Sequence, residues 1–243
     1  SLFGALFSIS AYSQIAPADD LGATTTTFPT SITVGGNCTI IGPELVGLIF
    51  RLAASRFEVS VDTLKEAFNL TATSFGLQTI TMLIVSDKEV RDNLVPHSYH
   101  QKQVAEASHL LVICIKDNII NSDVVDYYNN IKNTRNTSEE ILNPFRESLI
   151  KTMNGMTVEE RQNWSKNQAY IALGNLMTVC AIEDIDACPM EGFVPARFDE
   201  LLQLQEKGLK SVLLLPVGYR AADDMFAELK KVRKSISETV IEL

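Results

Sequence analysis

The chain has 243 residues, room for one large domain or two small ones. A make-up of 46% hydrophobic and 21% charged residues is that of an ordinary globular chain with a sizeable core. A net charge of −9 and a pI near 4.9 argue against general nucleic-acid binding; Lys230-Lys231-Val232-Arg233-Lys234 is the one basic run, so any anion site is expected to be local.

Four cysteines stand at 38, 114, 180 and 188 without a C-x-x-C, and the histidines at 97, 100 and 109 have no partners at metal spacing, so no metal site is expected. Cys114 and Cys180 lie inside apolar runs and read as small buried hydrophobes, which fits a reducing compartment such as the cytoplasm. No run reaches the ~18 consecutive apolar residues of a membrane span.

Residues 1–42 carry two charges, Asp19 and Asp20, and a run of four threonines from Thr24 to Thr27. They read as a poorly ordered N-terminal extension, with a secretory signal over Leu2–Ile15 as the other reading. From Pro43 a helical period begins, with Leu45, Leu48, Ile49 and Leu52 on one face. A short helix follows, capped by Ser60, with Val61, Leu64 and Phe68 on one face. Thr71-Ala72-Thr73-Ser74-Phe75-Gly76-Leu77-Gln78 is rich in small hydroxyl residues and reads as a turn that offers backbone N–H groups.

Ile80 to Val85 reads as a buried strand, and Ser86-Asp87-Lys88-Glu89 as a capping box opening the next helix. Leu110 to Ile115 is a second strand, with His109 a structural histidine at its start. Two helices follow, striped by Val124, Val125, Tyr128 and Ile131, then by Ile141, Leu142, Phe145, Leu149 and Met153, with Pro144 a point of kinking or restart. Thr157-Val158-Glu159-Glu160 is another capping box. The helix behind it is apolar almost all round from Ala169 to Ile182, as in a core or an interface. Ser211 to Val217 reads as a strand covered on both faces. The tail Ile236–Leu243 alternates like a strand. Helices alternating with strands give an α/β or α+β class.

At Asp186-Ala187-Cys188-Pro189-Met190-Glu191-Gly192-Phe193 a Pro, a carboxylate and a Gly fall within four positions. Pro fixes φ and Gly admits a close approach of backbone, so a sharp turn is expected, with the N–H groups of Glu191 and Gly192 free to meet a ligand. A plain helix-to-strand connection is the other reading.

Pro189-Met190-Glu191-Gly192-Phe193 resembles the P-x-E-G-F loop of the oxygen-insensitive nitroreductases, FMN-dependent NAD(P)H oxidoreductases. Lys166-Asn167-Gln168-Ala169-Tyr170-Ile171-Ala172-Leu173-Gly174-Asn175 and Pro216-Val217-Gly218-Tyr219-Arg220 resemble its flanks, and the likeness covers roughly 60–243. It implies an α+β fold, a mixed sheet wrapped by helices in an interlocked homodimer, with 43–243 as the FMN-binding domain and two FMN sites at the interface. It implies that the 191 and 192 amides meet flavin N5 and O4, with Pro189 and Met190 beside them. Arg51-Leu52-Ala53-Ala54-Ser55-Arg56-Phe57 is similar to the family's early R-x-[SA]-x-K-x-F, so Arg51, Ala53 and Ser55 become cofactor candidates, with Ser55 in place of the Lys. The 71–78 turn is similar to a loop that reaches the flavin from the partner subunit, which makes Thr73, Ser74, Gly76 and Gln78 candidates. His100 and Gln103 stand where the family places an amide or basic group near the pyrimidine edge. Lys231 and Arg233 match its phosphate-binding K-x-R.

What the resemblance implies is a ping-pong enzyme taking hydride from NAD(P)H through FMN to a nitroaromatic, quinone or similar small acceptor. No G-x-G-x-x-G is present, which disfavours a separate Rossmann site. The competing expectation is a flavin-binding or non-catalytic dimer of the same fold with a degenerate 43–60 segment.

Overall fold

The computed structural model describes residues 61–224 and 226–243, so Arg51, Ala53, Ser55 and the Ser60 cap lie outside the described residues. Four strands, β1 (Ile80–Val85), β2 (His109–Lys116), β3 (Asp186–Ala187) and β4 (Leu209–Gly218), form a sheet ordered β1-β2-β4-β3. Every described pairing is antiparallel, so the mixed sheet that the resemblance implies has no parallel member among the described strands. With helices packed around an antiparallel sheet, the class is α+β.

β2 is apolar on both faces because both faces are covered. Leu110, Val112 and Cys114 point into one core, shared with Leu94, Val104, Phe198 and Leu214. Leu111, Ile113 and Ile115 point into the other, shared with Leu64, Ala169, Ala172 and Leu176. The first core is roofed by α2 (Lys88–Leu94), α3 (Gln103–Glu106) and α7 (Pro195–Leu201); the second by α1 (Asp62–Asn69) and α6 (Val158–Ile182). A satellite core joins α4 (Asn121–Arg135) and α5 (Glu139–Asn154) through Val124, Tyr128, Leu142, Leu149 and Met153.

Local chemistry sets the boundaries. Thr157 Oγ1 accepts from the Glu160 amide at 3.2 Å and Glu160 Oε2 accepts from the Thr157 amide at 2.7 Å, a reciprocal cap that starts α6. The α2 cap is Asp87 rather than the expected Ser86: its carboxylate accepts from the amides of Glu89 and Val90. α5 runs unbroken through Pro144, so the helix does not restart there. The tail departs from the sequence expectation. Ile236–Thr239 is a one-turn helix, α8, because Ser235 and Glu238 form a capping box that outweighs a weak alternation.

Candidate functional site

The 188–193 loop is shaped by its neighbour β4. In an antiparallel pair the N–H and C=O of one residue face the same partner strand. Cys188 N–H donates to Pro216 O at 3.0 Å, and Pro216 has no N–H to return the bond. The β3 ladder therefore ends after two residues, and pairing resumes at Met190, whose N–H and C=O both bond Leu214 at 2.8 and 3.0 Å. Between these anchors the chain lifts off the sheet at Pro189.

Past Met190 the carbonyls are taken in turn. Met190 O accepts from Leu214 N, Glu191 O from Phe193 N at 2.9 Å, and Gly192 O from Gln101 Nε2 at 2.9 Å. Among the described residues, the N–H groups of Glu191 and Gly192 bond to nothing. In a trans peptide N–H and C=O point opposite ways, so fixing the Met190 carbonyl on β4 turns the Glu191 N–H away from the sheet. Past Met190 the backbone thus presents two donors while its carbonyls are engaged, and the free N–H groups are those its sequence led us to expect.

Gly192 sits close against a side-chain tip. A Cβ there would stand 2.8 Å from Gln101 Nε2. Gln101 reaches this position from the 98–103 segment, where Tyr99 and His100 hold left-handed φ of 53° and 58° and close the turn after His97. Val194 N–H donates to His97 O at 2.8 Å, tying the same two segments. Gln103, almost fully buried, donates to Gln101 Oε1 at 3.1 Å, so it supports Gln101, while the His100 side chain is exposed. On the opposite flank Tyr170 of α6 donates its hydroxyl to Glu191 Oε1 at 2.7 Å. Partial burial first, then the Glu191 carboxylate, push this phenol up to about 12.

The 71–78 loop is a second cluster on α6. Ser74 N–H donates to Gln168 Oε1 at 2.8 Å, and Gln78 Nε2 donates to Asn69 O at 3.0 Å. Phe75, Gly76 and Gln78 take φ of 58°, 70° and 48°, and a Cβ on Gly76 would lie 2.5 Å from the Tyr127 hydroxyl. Among the described residues Thr73 Oγ1 is buried without a hydrogen-bond partner, beside a cavity of about 220 Å³ lined by Phe68, Asn69, Thr71, Thr73, Gln78 and Ile80. A larger hollow of about 430 Å³ lies at the β2–α4 turn and is lined by none of the candidate residues.

The structure therefore brings His100, Gln103, Pro189, Glu191 and Gly192 into one cluster and Thr73, Ser74, Gly76 and Gln78 into another, both anchored on α6. Met190 is spent within the chain: its backbone pairs with β4 and its side chain is buried in the core. Lys231 and Arg233 are exposed in irregular backbone ahead of α8. Sequence reasoning overlooked Gln101, Gln168 and Tyr170 as site residues. The last two stand inside the quoted 166–175 stretch, within α6, a helix that otherwise reads as packing. Among the described residues no cluster of His, Cys, Asp or Glu is arranged to hold a metal, and no helix is long and apolar enough to cross a membrane.

Comparison with known proteins decides the lineage. The profile described as "Nitroreductase family" matches residues 58–219. The chain belongs to the nitroreductase family. A Staphylococcus saprophyticus protein provisionally named an NAD(P)H nitroreductase is 31% identical over 191 residues, 72% of this chain and 86% of that one. The oxygen-insensitive NAD(P)H nitroreductase of Enterobacter cloacae is 29% identical over 147 residues, 59% of this chain and 68% of its own. Among solved structures, a provisionally named nitroreductase of Exiguobacterium sibiricum in complex with FMN superposes with a TM-score of 0.68 at 17% identity, over 80% of this chain and 92% of that one. At that identity the likeness establishes the fold alone. The family match starts after Arg51 and stops before Lys231 and Arg233.

Proposed function

We propose that this nitroreductase-family oxidoreductase binds FMN over the 188–193 loop, with the Glu191 and Gly192 amides toward flavin N5 and O4. The observation that carries the reading is the loop's one-sided hydrogen bonding: three successive carbonyls are engaged and two successive amides are not. Such a surface fits a pair of acceptors and no pair of donors. The unpartnered Thr73 hydroxyl is a second polar atom that a ligand or a partner chain would satisfy.

What the cofactor supplies when bound is hydride transfer from NAD(P)H to a nitroaromatic, quinone or similar acceptor by a ping-pong mechanism. The chain's own part is placement. Fixed amide donors stabilise negative charge that develops opposite them without reorganising. The Met190 carbonyl on β4 orients the peptide of the Glu191 N–H, and the turn from Phe193 N–H to Glu191 O orients that of the Gly192 N–H, while Gln103 and Gln101 hold the next peptide through the Gly192 carbonyl. Lys231 and Arg233, with Arg51, are the cations assigned to the phosphate. No side-chain nucleophile or general base is called for.

A homodimer is part of the reading. The outer face of α6 leaves Tyr170 46%, Ile171 49% and Ile182 71% exposed, apolar surface that a second copy would cover. The 71–78 loop would then serve the partner's flavin. The deciding experiment is an absorbance spectrum of the purified protein before and after anaerobic NADPH. Flavin bands that bleach are expected; protein without them, and not reconstituted by added FMN, refutes the reading. Sedimentation that finds a stable FMN-loaded monomer at micromolar concentration refutes the dimer.

A further inference from the structure

Two side chains grip the 188–193 loop from opposite flanks, and only one of them acts on a charged group. Gln101 binds a backbone carbonyl, whereas Tyr170 binds the Glu191 carboxylate. That carboxylate is exposed, and among the described residues no cation pairs with it. The peptide joining Met190 to Glu191 is already held by the Met190–Leu214 bridge. The next one, carrying the Gly192 N–H, is held by the tight turn from Phe193 N to Glu191 O, which is a weak constraint. The Glu191 side chain springs from the Cα between these two peptides, so whatever anchors it fixes the angle between the two free donors.

We propose that Tyr170 is a positioning residue for the flavin site: its hydroxyl ties Glu191 to α6, sets the aim of the Gly192 N–H, and keeps the Glu191 carboxylate from swinging toward the charge that the reduced cofactor carries. This rests on the reading that the Glu191 and Gly192 amides face FMN. A free carboxylate beside those amides would oppose reduction, because like charges at close range repel strongly where water is excluded. An anchored one, its charge shared with a phenol, opposes it less. The phenol suits this task because it stays protonated: held up to about 12, it remains a donor through any pH at which the protein would work.

The test is redox titration of the FMN-loaded protein, wild type beside Tyr170→Phe, Glu191→Gln and the double variant. Tyr170→Phe is expected to weaken the hold on reduced FMN about tenfold more than on oxidised FMN. At 29.6 mV per tenfold for a two-electron couple, the midpoint falls by about 30 mV. Glu191→Gln removes the charge and keeps an acceptor, so its midpoint rises, and adding Tyr170→Phe to it moves the midpoint by less than half as much as in wild type. A second measurement needs no cofactor. In the FMN-free protein one phenol titrates near 12, is absent from Tyr170→Phe, and moves part of the way back toward 10 in Glu191→Gln. An unmoved midpoint in Tyr170→Phe, an equal loss of affinity for both redox states, or a phenol indifferent to Glu191→Gln each overturns the proposal and leaves FMN binding standing. Wild-type protein that takes up no FMN overturns the underlying reading, and the proposal falls with it.

Discussion

The two loops anchored on α6 are built on opposite principles. In 188–193 the chain engages its own carbonyls past Met190 and leaves two amides free: Pro216 ends the ladder, Leu214 restarts it, and Phe193 and Gln101 occupy the Glu191 and Gly192 carbonyls. No residue there needs a left-handed backbone. In 71–78 three residues hold positive φ, a glycine is wedged against Tyr127, and the Thr73 hydroxyl is buried with nothing to bond among the described residues. The first loop has its shape before a ligand arrives and lacks only acceptors for two amides. The second carries strain and an unmet polar group, which is what a surface shaped for another molecule looks like from one side.

The largest expected effect asks whether either loop supplies the affinity. On the proposed reading the phosphate falls to Arg51, Lys231 and Arg233, and with Ser55 at the position of the early Lys the last two are expected to carry more of it. A charge-assisted hydrogen bond contributes roughly 1.5–3 kcal/mol, so Arg233→Ala should weaken FMN about tenfold to a hundredfold, and Arg51→Ala less. Titration of FMN into both FMN-free variants gives the order. The reverse order would return the phosphate grip to the early segment, and the loops would then be compared against a different anchor.

Next comes the strained loop itself. Gly76 combines a φ of 70° with a Cβ position 2.5 Å from the Tyr127 hydroxyl. Left-handed backbone costs an L-residue roughly 1–2 kcal/mol, and the overlap adds to it. Gly76→Ala should therefore lower stability by about 2 kcal/mol, seen as a lower denaturation midpoint at unchanged slope. An unmoved midpoint would mean that the loop relaxes freely, and the contrast between the loops would collapse.

Much of this was legible in the sequence, and the failures have identifiable causes. Ile80–Val85 was bounded correctly, and the β2 expectation fell one residue short at each end, because apolar runs between turn signals admit few alternatives. The end of α6 at Ile182 and its Thr157 capping box were equally plain. The tail was misread by favouring alternation over Ser235-Ile236-Ser237-Glu238, a capping signal that was present throughout. The antiparallel order of β1, β2 and β4 is set by non-local pairing, which no local pattern encodes. The site divides in the same way. The free amides follow from residues 188–193 taken alone. Gln101 and Tyr170 reach the loop across 91 and 21 residues, and an isolated Gln or Tyr in a polar or helical stretch gives no hint of it.

A smaller effect sharpens the comparison between the two glycines. Gly192 has an ordinary φ, and its close neighbour is the tip of a flexible amide that can move aside. Gly192→Ala should leave stability within about 1 kcal/mol of wild type. It should still displace Gln101 from the Gly192 carbonyl, loosen the Phe193 N–H of the same peptide from Glu191 O and with it the aim of the Gly192 N–H, and weaken FMN by about tenfold, or 1.4 kcal/mol. Gly76 would then be needed for folding and Gly192 for binding. A Gly192→Ala protein that binds FMN normally would show that Gln101 does not set the loop.

The smallest effect is the most discriminating. Valine has the shape of threonine with a methyl in place of the hydroxyl, so Thr73→Val removes the unpartnered Oγ1 and little else. A buried hydroxyl without a partner has lost its water and gained nothing, and replacing it by an apolar group is neutral or favourable by up to about 1 kcal/mol. The FMN-free protein should therefore melt at the wild-type temperature or slightly above. If that hydroxyl is held for the cofactor or for a second copy of the chain, the same variant should bind FMN several-fold more weakly, or dissociate at a higher protein concentration. Stability and binding would then move in opposite directions from one atom, as expected of a group kept unsatisfied for a ligand. A loss of stability in the FMN-free protein would instead mean that Oγ1 finds a partner within the chain, and that the 71–78 loop keeps no group in reserve for another molecule.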